Sequence, residues 1–273
     1  MKPAVELKIA LLQLELVWEN SDANIAAIDT LMGDPQLNSD AYDLLVLPEM
    51  WATGFTMNPL QQGLSWNISC AHSPETWPEP LQAMQRWSRQ HNAAVVGSLS
   101  CNLLDENRCV NRCFFMTPDG LAGWYDKRYL FRFAGEDDSY SPGKERVVIP
   151  WRGWNILLQI CYDLRFPESS RNDDNSPYDL ALYVANWPEV RASAWKTLLK
   201  ARAIENQAYV AGVNRIGVDA NGINHNGLSA IHHPKGQTSA ASEFQETHWV
   251  CATLSKAELT DYRSRFPVLK DVL

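Results

Sequence analysis

Between residues 7 and 16 only Lys8, Gln13 and Glu15 interrupt a run of apolar side chains, which predicts a first strand buried on both faces. Asn20-Ser21-Asp22 then reads as a helix N-cap. Ile25, Ile28, Leu31 and Met32 follow at helical spacing, and Gly33-Asp34-Pro35 marks the stop. A second buried strand is expected over residues 43–49. The aromatic- and proline-rich stretch 50–80 reads as a long functional loop. Leu81, Met84 and Trp87 mark the next helix, and residues 93–99 a third strand. From Arg112 the pattern changes. Residues 113–116 and 121–125, joined by Pro118-Asp119-Gly120, predict a hairpin; residues 127–142 read as loop; residues 147–149 and 154–160 predict a second hairpin. The second half repeats this outline, with a strand over 179–184, a helix over 193–207, a strand over 209–213 and hairpin-like pieces at 229–231 and 249–254. Two such halves predict an α/β fold of two sheets face to face with helices outside. No linker, low-complexity run or charge block divides residues 1–273, which predicts one domain.

Composition narrows the function. The chain of 273 residues is 45% hydrophobic and 21% charged, in the range of a soluble globular protein. Its net charge of -8 opposes binding to nucleic acid or an anionic membrane, although a small anion needs only one local arginine. The 6 cysteines include no CxxC pair, and Glu6, Lys8, Gln13 and Glu15 break any signal-like run near the start. Free thiols in the cytoplasm are therefore expected. No apolar run reaches the length of a membrane span.

Three stretches carry chemistry. Asn155-Ile-Leu-Leu-Gln-Ile reads as a buried strand, and Cys161-Tyr162-Asp163-Leu164-Arg165-Phe166-Pro167-Glu168 turns polar at once, with Pro167 opening a helix. Cys161 thus sits at a strand end, where turn N–H groups face an oxyanion. The plain alternative is a buried core thiol. Glu49 ends a buried strand behind Pro48 and suits a general acid/base, or alternatively a solvated carboxylate at a sheet edge. Lys127, flanked by Tyr125, Tyr129 and Phe131, suits a partly desolvated cation that stabilises an oxyanion or helps ionise a thiol; the alternative is an ordinary surface lysine. In the helix at 193–207, Arg202 and Glu205 form either a surface pair or a buried structural one.

Leu47-Pro-Glu49, Tyr125-Asp-Lys127 and Cys161-Tyr-Asp-Leu-Arg-Phe-Pro-Glu168, in this order, resemble the nitrilase (carbon–nitrogen hydrolase) superfamily, and the likeness extends through Ala201-Arg-Ala-Ile-Glu205 to the hairpin ending Pro234-Lys-Gly236. That hairpin has His233 where the family pattern often has an acidic residue. The resemblance implies an α-β-β-α sandwich of the nitrilase type, a Cys-Glu-Lys triad of Cys161, Glu49 and Lys127, and a second glutamate at Glu136 in Phe133-Ala-Gly-Glu136. Glu49-Met-Trp51-Ala-Thr-Gly-Phe55, the Phe-Ala-Gly-Glu loop and Ala185-Asn-Trp187-Pro are similar to bacterial omega-amidases, which hydrolyse the terminal amide of 2-oxo acid amides. It also implies a homodimer.

The expected chemistry is amide hydrolysis through a Cys161 thioester, with Glu49 as base and Lys127 and the Tyr162 N–H on the oxyanion, and with no metal or organic cofactor. Arg165, four residues after Cys161, is the candidate for holding a substrate carboxylate, or else it pairs internally with Glu168 or Asp163. Trp187 and Phe55 are expected as apolar walls. The competing readings are a nitrilase on the same triad, a metal hydrolase built from His225, His232, His233 and His248, and a non-catalytic binding protein on this fold. No ligand spacing such as HExxH favours the metal.

Overall fold

The computed structural model describes residues 6–33, 42–173, 176–242 and 245–271. The first half runs β1 (Glu6–Gln13), α1 (Ser21–Met32), β2 (Leu44–Val46), α2 (Pro59–Gln62), β3 (Leu64–Trp66), α3 (Glu79–His91), β4 (Ala94–Leu103), β5 (Arg108–Thr117), β6 (Gly120–Asp126) and α4 (Glu136–Ser139). The second runs β7 (Val148–Trp151), β8 (Trp154–Ile160), α5 (Pro167–Ser170), β9 (Leu180–Ala185), α6 (Ala192–Glu205), β10 (Tyr209–Asn214), β11 (Ile216–Val218), β12 (Asn224–Asn226), β13 (Ala230–His232), β14 (Thr238–Ala241), β15 (His248–Ser255) and α7 (Lys256–Arg265). One sheet has the order β15-β1-β2-β4-β5-β6, with β3 also on β4; the other has the order β14-β13-β10-β9-β8-β7. β11 and β12 form a separate ribbon.

Alternation explains the dense apolar runs. In β1, Ile9 and Leu11 face the second sheet and pack with Ile156, Leu158 and Leu182, while Ala10 and Leu12 face helices α1 and α3. From Ile9 onward both faces of β1 are therefore buried, whereas Glu6 and Lys8 near its start are exposed. Asn20 caps α1 by accepting the Ala23 N–H at 3.0 Å, and Ile25, Ile28 and Met32 bury the inner stripe. Leu81, Met84 and Trp87 of α3 are fully buried, each apolar side chain stabilising by about 1.5–3 kcal/mol. The Trp87 Nε1–H donates to Asp29 at 2.6 Å and joins α3 to α1. Trp195, Leu199 and Ala203 of α6 cover the outside of the second sheet. The layers are helix, sheet, sheet, helix.

Four sequence readings change. The stretch 50–80 is not one loop: it holds α2, and β3 pairs with Cys101, Asn102 and Leu103 of β4. The stretch 127–142 contains α4. The piece at 249–254 leaves the second half and pairs antiparallel along the whole of β1, from Glu6↔Ser255 to Gln13↔His248. Helix α7 was not predicted, because Leu259 is its one buried residue and its anchoring is ionic: Lys256 and Arg263 both reach Asp179. Asp34 and Pro35 of the predicted helix stop lie outside the described residues; Gly33 does end α1.

Strands β1, β2 and β4 run parallel in one sheet, as do β8, β9 and β10 in the other. Glu49 follows β2, Cys161 follows β8 and Asn186 follows β9, so carboxyl ends of both sheets meet at one place. Lys127 arrives there at the end of β6, where its carbonyl accepts the Gly143 N–H at 2.8 Å. A Cβ on Gly143 would lie 2.2 Å from the Asp126 carbonyl oxygen, so only glycine permits this approach. Gly143→Ala is expected to cost about 1–3 kcal/mol in denaturant unfolding, the range for overpacking. It should also lower activity at temperatures where the variant remains fully folded, because Lys127 follows Asp126.

Candidate active site

Glu49 is placed by a tight turn. Leu47 is still bonded to the sheet through Val96 (2.7 Å), Met50 N–H donates to the Ser98 hydroxyl (2.9 Å), and Met50 adopts a left-handed φ of 45°. A non-glycine residue there stores strain of about 1–3 kcal/mol. The turn drives the Glu49 side chain into the interior, where it is fully buried. Its Oε1 accepts from Lys127 Nζ at 2.9 Å and from Asn111 Nδ2 at 2.8 Å, and its Oε2 accepts from the Asn186 backbone N–H at 2.8 Å.

Lys127 is equally buried, and its ammonium also donates to both Glu136 oxygens, at 2.9 and 2.8 Å. The Phe55 ring lies 5.3 Å from Nζ. Burial alone would lower the Lys127 pKa, but the Glu136 and Glu49 charges outweigh it and hold the ammonium above the usual lysine value. Glu136 opens α4, is fully buried, and accepts the Phe131 N–H at 2.6 Å. Burial raises its pKa and Glu49 adds to the rise, while Lys127 pulls it down.

Cys161 caps the end of β8 with φ 44°, followed by a 3-10 turn over Cys161–Arg165. Asp163 locks this elbow: its carboxylate accepts the Ile160 N–H (2.9 Å), the Tyr129 N–H (3.0 Å) and the Tyr125 hydroxyl (2.8 Å). Burial still pushes the Asp163 carboxyl up to about 6. The Cys161 thiol donates to the Asn186 carbonyl at 3.9 Å, beside the buried Glu49 carboxylate. Burial, then the Glu49 charge, raise its pKa well above the usual thiol range, and Lys127 only partly opposes them. This environment favours the thiol over the thiolate, so ionisation calls for a nearby base.

A cleft of about 650 Å³, its open mouth included, leads from Cys161 and Lys127 to the surface. Phe55, Tyr162, Arg165 and Trp187 all line it. Arg165 does not pair with Glu168 or Asp163, the internal alternative considered above. Glu168 takes the Tyr129 hydroxyl at 2.9 Å, Asp163 is occupied in the elbow, and the Arg165 guanidinium lies 5.0 Å over the Trp187 ring. Arg202 combines its two readings: it is buried, meets Glu205 at 2.9 Å and donates to the Leu164 carbonyl at 2.7 Å.

A carbon-nitrogen hydrolase family model matches residues 8–264. The chain belongs to the carbon–nitrogen hydrolase family. It is 48% identical over 265 residues to the omega-amidase YafV of Yersinia enterocolitica, covering 97% of this chain and 96% of that one. It is 28% identical over 265 residues to a 2-oxoglutaramate amidase of Bacillus subtilis, covering 97% and 96%. A Xanthomonas campestris protein of the same superfamily, solved with an arsenic adduct in its active site, superposes with a TM-score of 0.89 at 37% identity, covering 98% of this chain and 97% of that one.

In this carbon–nitrogen hydrolase the sequence reading missed two asparagines. Asn111 lies mid-strand in β5 and is fully buried; its Nδ2 donates to Glu49 and, at 3.4 Å, to Glu136, while its carbonyl accepts the Lys127 N–H. Asn186 ties β9 to the Glu49 turn, with its Nδ2 on the Glu49 carbonyl at 2.6 Å. Ala185-Asn-Trp187-Pro had been noted as a motif, but no role for Asn186 followed from it. Of the histidines, His225 lines the cleft, and no three His, Cys, Asp or Glu side chains among the described residues are grouped as a metal would need. Asn111→Ala removes a neutral donor from two buried carboxylates. A hydrogen bond to a charged group is worth about 1.5–3 kcal/mol, so activity is expected to fall roughly 10- to 150-fold. The ionised cluster loses support, so the acid limb of the kcat/KM profile should move to higher pH. A pH–rate series on the purified variant checks both.

Proposed function

We propose that the protein is an omega-amidase that hydrolyses the terminal amide of a short, carboxylate-bearing 2-oxo acid amide through a Cys161 thioester. The observation that carries this reading is the buried Glu49 carboxylate, which meets the Lys127 ammonium through one oxygen and the N–H of Asn186 through the other, while the Asn186 carbonyl accepts from the Cys161 thiol. Glu49 takes the thiol proton as the sulfur attacks the amide carbon. Lys127 and the Tyr162 backbone N–H receive the oxyanion. As the intermediate collapses, Glu49 returns the proton to the leaving nitrogen and ammonia departs. Glu49 then takes a proton from water, the hydroxide equivalent attacks the thioester, and the acid is released as the thiol recovers its proton. Glu136 holds Lys127 in place from the far side. The likeness to the YafV omega-amidase of Yersinia enterocolitica supports the substrate class, and Arg165 supplies a guanidinium for the carboxylate. Phe55 and Trp187 are the apolar walls along the chain between the two ends.

The test is ammonia release from short amides and the matching nitriles, with intact-mass detection of an acyl adduct in quenched wild-type enzyme. Turnover and adduct should both vanish in Cys161→Ala, and nitriles should release none; wild-type turnover by Cys161→Ala would sink the mechanism. Arg165→Lys keeps charge but loses the two-pronged geometry. It is expected to cost about 1.5–3 kcal/mol on carboxylate-bearing amides relative to a neutral amide of equal length. Equal losses on both substrates would assign Arg165 a structural role.

A further inference from the structure

We propose that Arg191 is a second, specificity-determining cation of the cleft, which with Arg165 holds the 2-oxo acid end of the substrate; this rests on the omega-amidase reading. Arg191 lines the same cleft as Cys161 and Arg165. Its backbone is fixed from inside, since the Trp187 Nε1–H donates to the Arg191 carbonyl at 2.9 Å. Its guanidinium rests on two phenyl rings, 5.3 Å from the Phe131 centroid and 5.1 Å from that of Phe133. Neither Arg191 nor Arg165 forms an ion pair or hydrogen bond through its guanidinium with another described residue. The acids nearest to hand are engaged elsewhere. Glu189 accepts from the Asn224 amide, and the Asp219 Oδ1 is held by the Asn221 and Ile223 N–H groups at 2.9 Å each. Two guanidiniums on aromatic platforms, with their N–H forks unused, are donors prepared for an anion.

The chemistry of the ligand fits two forks better than one. A 2-oxo acid end presents two carboxylate oxygens and an adjacent ketone oxygen, three acceptors side by side. One guanidinium satisfies two of them, and the third requires another donor in the same lining. The platform also explains an otherwise costly feature. Phe133 is 83% exposed, and its ring serves no core, yet it covers one side of the Arg191 guanidinium. Phe131, under the other part, hands its N–H to Glu136, so the rim that carries Arg191 is tied to the buried cluster.

The experiment reads the ratio of kcat/KM for a 2-oxo acid terminal amide to that for a neutral amide of equal length. Arg191→Gln is expected to lower the ratio by about 10- to 150-fold, the range for one charged hydrogen-bonded contact, with Arg191→Lys between it and wild type. Phe133→Ala, at an exposed position, should lower the ratio about two- to fivefold, and the double variant should fall no further than Arg191→Gln alone. A wild-type ratio in Arg191→Gln overturns the assignment, as does an equal loss on both substrates, which is the signature of a rim propped by Arg191 for structure alone. Absence of any preference for the 2-oxo acid amide in the wild-type enzyme overturns the omega-amidase reading together with this one.

Discussion

Everything at the site depends on a single buried ammonium shared by two carboxylates. The side chains of Lys127, Glu49 and Glu136 are fully buried. Each of these charges alone would cost several kcal/mol to bury. Together they still leave one negative charge in excess, and the neutral donors Asn111 and the Asn186 and Phe131 N–H groups stabilise it. Such a cluster is weak evidence for stability, because well-packed apolar residues would often do as well. It is good evidence for function, because it fixes a base and a cation within one hydrogen-bonded unit where a carbonyl oxygen and a sulfur must be served at once.

The same cluster decides how the nucleophile works. A thiol beside a free lysine would ionise easily, which was one role considered for Lys127. Here two carboxylates take up the ammonium, and the negative charge nearest to Cys161 opposes thiolate formation. In the mechanism proposed above the proton leaves as the sulfur attacks, with Glu49 as the acceptor. Backbone strain supports this arrangement on both sides: Met50 next to the base and Cys161 itself both hold positive φ. Neighbouring structure must over-determine such conformations, and the Ser98 hydroxyl on one turn and the Asp163 carboxylate in the other do so.

What sequence could reveal follows from where each residue sits. Glu49 and Cys161 follow apolar strands, where the end of an apolar run is visible to pattern analysis, and Lys127 stood out for the aromatic residues that flank it. Glu136 came from the family resemblance alone, since three acidic residues in a row carry no periodic signal. Asn111 is the opposite case: it sits inside a continuous strand, and nothing local distinguishes a hydrogen-bonded core asparagine from a solvated one. The partner of β15 was hidden for a similar reason. Alternation shows that Val250 and Leu254 face inward, but not which of two sheets they face. Arg191 escaped notice because its meaning depends on what it does not touch, and the absence of a partner is a property of the folded chain.

The chain as a whole carries a net charge of -8, yet the substrate class inferred for it is anionic. Long-range attraction cannot resolve this, because charges beyond about 8–10 Å are largely screened at physiological salt. Recognition must come from groups within the cleft, and these must remain unneutralised there. Lys127, the one lysine among the described residues that line the cleft, is held beside Cys161 by two glutamates and is assigned to the oxyanion, not to the substrate carboxylate. Arginine stacked on an aromatic ring keeps its charge and its directional N–H groups while its faces are covered. Arg165 on Trp187 and Arg191 on Phe131 and Phe133 meet that condition. The cleft thus separates two electrostatic tasks along its length. In the proposed reading the buried Glu49, Lys127 and Glu136 cluster serves bond cleavage, and the two guanidiniums in the same lining select the substrate.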